Sequence, residues 1–223
     1  MDYHRITNIE DPLFTQMHQL MQEIFPPEEV LEFDFWKEPL EDPGIRVFVA
    51  VHEGKVVGAT EYRYYEDFNV AMTDFTIIGN PGLGIGPFLA NHRAQDLHEL
   101  AAANGKSLSG MFAEIYDPYR VEHHEFGGVK PMDPYVRREV LAHLGYKKID
   151  IYYVHPSWNN DGEAVTGLDL CFLPMDKNKS TIQADLVAKF LIRYYTVLPN
   201  KPDSWIKMVE GIESKDQLAL LNM

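Results

Sequence analysis

Glycines at 82, 84 and 86 alternate with Leu83 and Ile85 in the segment Pro81-Gly82-Leu83-Gly84-Ile85-Gly86-Pro87-Phe88-Leu89, directly after the β-like run Thr76-Ile77-Ile78. A turn of this kind presents bare backbone N–H groups. If a helix starts where the glycines end, its unpaired amides and the positive end of its dipole make an anion site, and a pyrophosphate can approach with no Cβ in the way. The chemistry implied is capture of a diphosphate-bearing ligand. Two acidic residues, Asp74 and Glu114, stand inside the apolar runs Val70 to Ile78 and Met111 to Tyr116. Desolvation in such surroundings disfavours a charged carboxylate and suits it to proton exchange near neutral pH.

Spacing narrows the ligand. A dinucleotide fingerprint needs G-x-G-x-x-G, whereas these glycines run G-x-G-x-G. A triphosphate loop needs a lysine and a hydroxyl residue after its last glycine, where Pro87 and Phe88 stand. The net charge of −14, with no Lys/Arg cluster to offset it locally, disfavours nucleic acid and acidic membranes. The same field favours a cationic amine, although acidic surfaces also serve solubility. His123-His124-Glu125 lacks a matched pair at metal spacing, so no metal is expected. The single cysteine, Cys171, excludes an internal disulfide and reads as an inert buried thiol. No apolar run approaches about 18 residues and the N-terminus has no signal-like apolar stretch, which points to a cytoplasmic protein.

The elements that must position these residues follow from periodicity. Leu13, Met17, Leu20, Met21 and Ile24 recur at helical steps after Asp11-Pro12, and a shorter helix is expected over 28–36. Strands are expected over 45–52 and 55–65, joined by a tight Glu53-Gly54 turn, and over 70–78, leading into the glycine loop. A helix over 87–104 follows, then a strand over 108–116, a helix over 134–144 and strands over 148–155 and 166–173. Beyond Met175 a polar linker precedes an amphipathic helix over 181–195, with Leu186, Val187, Phe190, Leu191 and Tyr194 on one stripe, and short helices over 204–211 and 214–221. The expected organisation is a domain of residues 1–175 and a helical extension of residues 176–223, serving as a packed cap or as a homodimer contact.

The glycine loop resembles motif A of the GCN5-related N-acetyltransferases (GNAT), [Q/R]-x-x-G-x-[G/A], with Gly84 and Gly86 at the two small positions. Pro81 stands where the family has Gln or Arg. Leu141-Ala142-His143-Leu144-Gly145-Tyr146 resembles the family's motif B ending, Tyr-x-x-Leu-Gly-Phe, with Leu141 in the place of the tyrosine that protonates the departing thiolate. The resemblance implies an α/β fold with a mixed, mostly antiparallel sheet, splayed fourth and fifth strands and helices on both faces. It also implies acetyl-coenzyme A as acyl donor, held by Ile77, Ile78, Gly82, Leu83, Gly84, Ile85 and Gly86, and transfer of the acetyl group to a primary amine of a small molecule or peptide. Strands four and five would then carry the catalytic groups, with Glu114 preferred as base over Asp74 and with Tyr116 on the face of Glu114. Further acids or acceptor contacts are Tyr119, Arg120, Tyr135, Tyr152 and Tyr153, within or near a long loop over 117–133. Arg93 would meet a coenzyme phosphate or lie solvated on its helix. A second reading is a non-catalytic acyl-coenzyme A binding or regulatory protein on the same fold.

Overall fold

The computed structural model describes residues 1–25, 30–120 and 134–223, which divide into two compact units, residues 1–108 and the described residues from 109 onward. The first unit contains β1 (Asp2–Ile6), α1 (Pro12–Ile24), a 3₁₀ turn (Phe33–Trp36), α2 (Lys37–Glu41), β2 (Ile45–His52), β3 (Lys55–Tyr65), β4 (Val70–Ile78) and α3 (Ile85–Ala103). Its strands pair antiparallel in the order β1-β2-β3-β4. Side chains alternate across these strands, so the two faces are covered by different helices. Val47, Val49, Ala59 and Ile77 bury against Phe14, Met17 and Met21 of α1, and Ala50 packs with Ile85 and Leu89 of α3. Asp11 starts α1: its carboxylate accepts from the Leu13 N–H at 2.9 Å, and Pro12, with no N–H to satisfy, takes the first helical position.

The second unit contains β5 (Gly110–Tyr116), α4 (Pro134–Leu144), β6 (Lys147–Ile149), β7 (His155–Pro156), β8 (Ala164–Val165), β9 (Leu168–Pro174), β10 (Thr181–Gln183), α5 (Ala184–Tyr194), a 3₁₀ turn (Tyr195–Val197), α6 (Asp203–Glu213) and β11 (Gln217–Asn222). Strands β5-β9-β6-β11-β10 form an antiparallel ladder, and β7 and β8 pair separately. Residues beyond 175 are integrated into this unit. β11 pairs with β6 and β10, and Phe190 of α5 stacks on Phe112 of β5 at 4.0 Å between ring centroids.

Four sequence expectations are corrected. The strand expected over 148–155 is interrupted, only Lys147–Ile149 and His155–Pro156 being strand, and the helix expected over 181–195 is preceded by the strand Thr181–Gln183 and runs over Ala184–Tyr194. Residues 217–222 form a strand and not a helix: Leu218 and Leu220 are buried on alternate positions, and pairing on both sides overrides the helix preference of Ala and Leu. Asp2–Ile6, where no element was expected, is a strand whose sequence is mostly polar, because only Ile6 is fully buried. The second helix begins later than expected, as a 3₁₀ turn at Phe33 continuing into α2, and Pro39 is accommodated in the first turn of α2, where its missing N–H costs nothing. Residues 121–133, with His123, His124 and Glu125, lie outside the described residues. No helix among the described residues is long and apolar enough to cross a membrane.

Candidate functional site

The loop after β4 has the backbone that its glycines were expected to provide. Gly82 and Gly84 take φ values of 95° and 70°, a left-handed region that costs a residue with a Cβ of the order of 1 kcal/mol. Gly84 is the N-cap of α3. No side chain among the described residues caps that terminus, and its first turn carries no acidic residue. The first helical bond runs from the Phe88 N–H to the Gly84 carbonyl at 3.1 Å, leaving the Ile85 and Gly86 amides ahead of it at the positive end of a 19-residue helix. Residues 79–84 are exposed. Ile77 and Ile85 are each 1% exposed, so only their backbone is available to a ligand. An anion fits this terminus; a carboxylate or phosphate would supply the cap that the described residues do not.

Asp74 lies on a β-bulge. Glu61 pairs with Phe75 and Tyr62 with Thr73, so Asp74 has no residue opposite it and its side chain is exposed. It is hydrogen-bonded to Glu61, whose carboxyl is pushed well above the usual range by burial, then by the Asp74 charge and that hydrogen bond. Burial and the Asp74 charge thus favour the protonated form of Glu61. Arg93 supports the bulge from the other side of the sheet. Only 4% exposed, it donates through Nη1 to the hydroxyls of Thr60, Thr73 and Thr76 at 2.9, 3.2 and 2.8 Å. Two of those hydroxyls in turn donate to carbonyls around the bulge, Thr60 to Phe75 O and Thr73 to Glu61 O, both at 3.2 Å. Both sequence readings of Arg93, a phosphate contact and a solvated helix residue, are thus corrected: it is a buried clamp between α3 and β4.

Glu114, on β5, is the centre of a buried polar cluster in the second unit. Its Oε1 accepts from the Tyr153 hydroxyl and, at 2.5 Å, from the Tyr195 hydroxyl, and the two phenols also touch each other. Its Oε2 faces His155 Nε2 at 3.7 Å, and the side chain of Glu114 is 13% exposed against 2% for His155. His155 Nδ1 lies against the Pro156 carbonyl, an acceptor, so Nδ1 is a donor there. The ring is sandwiched by Trp158 at 4.2 Å and Tyr195 at 5.0 Å. Burial, followed by the Glu114 charge, pushes both phenols well above the ordinary tyrosine value, so they remain donors.

No family model and no curated protein sequence matches the chain. Solved structures do. A protein from Bacteroides thetaiotaomicron assigned to the GNAT acetyltransferases superposes with a TM-score of 0.60 at 15% identity, over 90% of this chain and 99% of its own. The chain has the GNAT fold. The ribosomal-protein-S18-alanine N-acetyltransferase of Escherichia coli gives a TM-score of 0.50 at 10% identity, over 78% of this chain and 94% of its own. An aminoglycoside 6′-N-acetyltransferase complexed with coenzyme A gives 0.50 at 17% identity, over 77% and 95%.

Within this GNAT fold the motif B expectation takes physical form. Gly145 has φ 96°, its N–H bonds to Ala142 O and the Tyr146 N–H bonds to Leu141 O, both at 3.0 Å, the paired bonds by which a left-handed residue closes a helix. Tyr146 is 3% exposed beneath the turn. Leu141, in the tyrosine's place, offers no proton.

The residues nominated for acceptor contact divide. Tyr119 and Tyr152 are 74% and 69% exposed, and Arg120 lies over the Tyr152 ring at 5.8 Å. Arg120 is not free to bind an anion. It is tied to Asp117 at 2.9 Å and to Asp169 at 2.5 Å, and Asp169, 1% exposed, also takes Arg138 and Lys148 at 2.9 and 2.7 Å. Against the cost of its own burial, the Tyr119 amide and Arg120 hold Asp117 below the usual carboxylate range. Tyr116, two residues after Glu114, is partly buried. Cys171 is fully buried, its thiol pushed up to about 12 by burial and then by Asp169, as an inert cysteine should be. Sequence reading missed Tyr195, His155 and Glu61. Tyr195 ends the amphipathic helix expected over 181–195, His155 ends the strand expected over 148–155, and Glu61 sits in a β-branched and aromatic run, so none carries a local signal.

Proposed function

We propose that this protein is an acetyl-coenzyme A dependent N-acetyltransferase whose acceptor is a primary amine of a small molecule or peptide. The observation that carries the reading is the N-terminus of α3 behind Gly82 and Gly84, a terminus with an anion's place prepared and no side chain among the described residues to fill it. The amides of residues 82–86 would hold the coenzyme's pyrophosphate. Acetyl-coenzyme A supplies a thioester carbonyl open to attack by an uncharged amine.

Glu114 is the base in this reading. An ammonium must lose a proton before its nitrogen lone pair can form the new C–N bond as the C–S bond breaks, and the departing thiolate must then gain a proton. Glu114 has an oxygen, Oε2, that no hydroxyl occupies among the described residues, and a carboxylate here complements a cationic acceptor. The exposed Tyr119 and Tyr152 are proposed acceptor contacts, with Arg120 their support. The activities for which these neighbours are named, on a ribosomal-protein alanine and on aminoglycosides, are both N-acetylations, and they support the reaction class while leaving the acceptor open.

Pro81 and Leu141 favour a second reading, a protein that binds an acyl-coenzyme A without transfer: Pro81 has no N–H to donate and Leu141 no proton to give. Calorimetry with acetyl-coenzyme A, followed by release of free coenzyme thiol with a panel of amines, separates the readings. Binding with turnover is expected. Binding with no turnover on any amine would leave the second reading standing, and absence of binding would sink both.

A further inference from the structure

The donors around Glu114 do not share its two oxygens evenly. Tyr153 and Tyr195 converge on Oε1, and Oε2 meets only the His155 edge at 3.7 Å among the described residues. Two phenols from distant parts of the chain, one before β7 and one at the end of α5, arrive at one atom. Had the cluster served only to satisfy a buried carboxylate, one donor on each oxygen would have done so with less crowding. Concentrating both on Oε1 fixes the side-chain rotamer, stabilises the anion through hydrogen bonds to charge, and leaves Oε2 with its lone pairs available. The phenols keep their hydrogens, since burial and the Glu114 charge oppose their ionisation.

We propose that Tyr195, contributed by the C-terminal segment, is a positioning residue for acyl transfer: with Tyr153 it commits Oε1 of Glu114 and reserves Oε2 for the proton of the acceptor amine. The segment beyond residue 175 is then part of the reacting machinery as well as of the core, and its loss would cost chemistry as well as stability. Tyr195 is itself held in place, edge-on to Trp205 at 6.0 Å and to Tyr194 at 4.8 Å. The titratable groups around the carboxylate are Tyr153, Tyr195 and His155, with Tyr194 behind Tyr195 and Cys171 acting at longer range. This inference rests on the acetyltransferase reading.

Tyr195→Phe in the full chain tests it, because phenylalanine keeps the ring contacts and removes only the donor. Losing a donor to the carboxylate destabilises its charged form, so the acid limb of the kcat/KM profile should move about one pH unit higher, with about tenfold lower kcat/KM on that limb and KM for acetyl-coenzyme A unchanged. Tyr153→Phe should act in the same direction. A uniform loss at every pH, with the limb unmoved, would mean that Tyr195 only packs, and would overturn the proposal. Carboxyl ¹³C NMR, with the Glu114 signal assigned by its loss in Glu114→Gln, reads the same coupling without turnover. A higher midpoint in Tyr195→Phe supports the donor role, and an equal midpoint in an active protein overturns it alone. A raised midpoint in a protein that acetylates no amine overturns the acetyltransferase reading and the transfer role with it.

Discussion

Asp74 and Glu114 stand in comparable positions, each on a strand among apolar neighbours, yet the chain surrounds them in opposite ways. Asp74 is exposed on a bulge and is given a second carboxyl, Glu61, whose protonated form is favoured by burial and the nearby negative charge. Glu114 is nearly buried and is given two neutral donors that do not ionise. A like group forces a proton to be shared, whereas phenols stabilise one defined anion and leave one defined oxygen. A carboxylate in the same kind of strand therefore becomes part of a carboxyl pair in one unit and, in the proposed reaction, an oriented base in the other, and neighbours distant in sequence make the difference.

The strongest way to break this comparison is to neutralise each carboxylate in turn. Glu114→Gln should lower kcat by about 10²- to 10⁴-fold, the usual yield of a positioned base, while Asp74→Asn should cost less than about tenfold. Steady-state release of coenzyme thiol measures both. Equal losses, or a larger loss at Asp74, would transfer the base to the bulge. Smaller but still large is the effect expected at Arg93. Arg93→Met keeps much of the apolar stem and removes the guanidinium that three threonine hydroxyls receive, so unfolding should be easier by about 2 to 4 kcal/mol in urea, with the bulge loosened. A change under about 0.5 kcal/mol would show that the threonines hold the bulge alone. Gly84→Ala should weaken acetyl-coenzyme A binding several-fold and destabilise by of the order of 1 kcal/mol, because alanine must adopt φ near 70° where Gly84 does; calorimetry reads the first and thermal unfolding the second.

What the sequence disclosed, and what it withheld, follows the range of the forces involved. The glycine loop, the Asp11 start of α1 and the Gly145 stop of α4 were legible because caps and turns are set by a few adjacent residues. Glu114 was legible as a carboxylate in an apolar run. Tyr153 was legible only as a candidate acid or acceptor contact, and Tyr195 was not, since they lie 39 and 81 residues away and a tyrosine at the end of an amphipathic helix looks like core. Arg93 misled for a related reason. The face that α3 turns to the sheet carries Arg93 and Asp96, the latter bound by Arg46 and Tyr62, so its polar residues read as solvated when they are clamps. β11 was lost because Leu-Ala-Leu-Leu favours a helix until partner strands are present on both sides.

The mildest perturbation sharpens the comparison on its stability side. Glu61 has a folded-state pKa well above its ordinary value of 4.5, so between those two values the folded chain holds a proton that the unfolded chain has released. Stability must then fall as pH rises through that window, because the state binding more protons is disfavoured as protons become scarce. Glu61→Gln removes the titration and keeps a neutral donor for Asp74. The variant should match the unaltered protein near about pH 4, where Glu61 is protonated in both states, and exceed it by of the order of 1 kcal/mol near about pH 8. Thermal unfolding across that range measures the difference. Parallel curves for the two proteins would mean that Glu61 ionises freely beside Asp74, and the two carboxylates of the comparison would then differ in exposure alone and no longer in how their neighbours handle a proton.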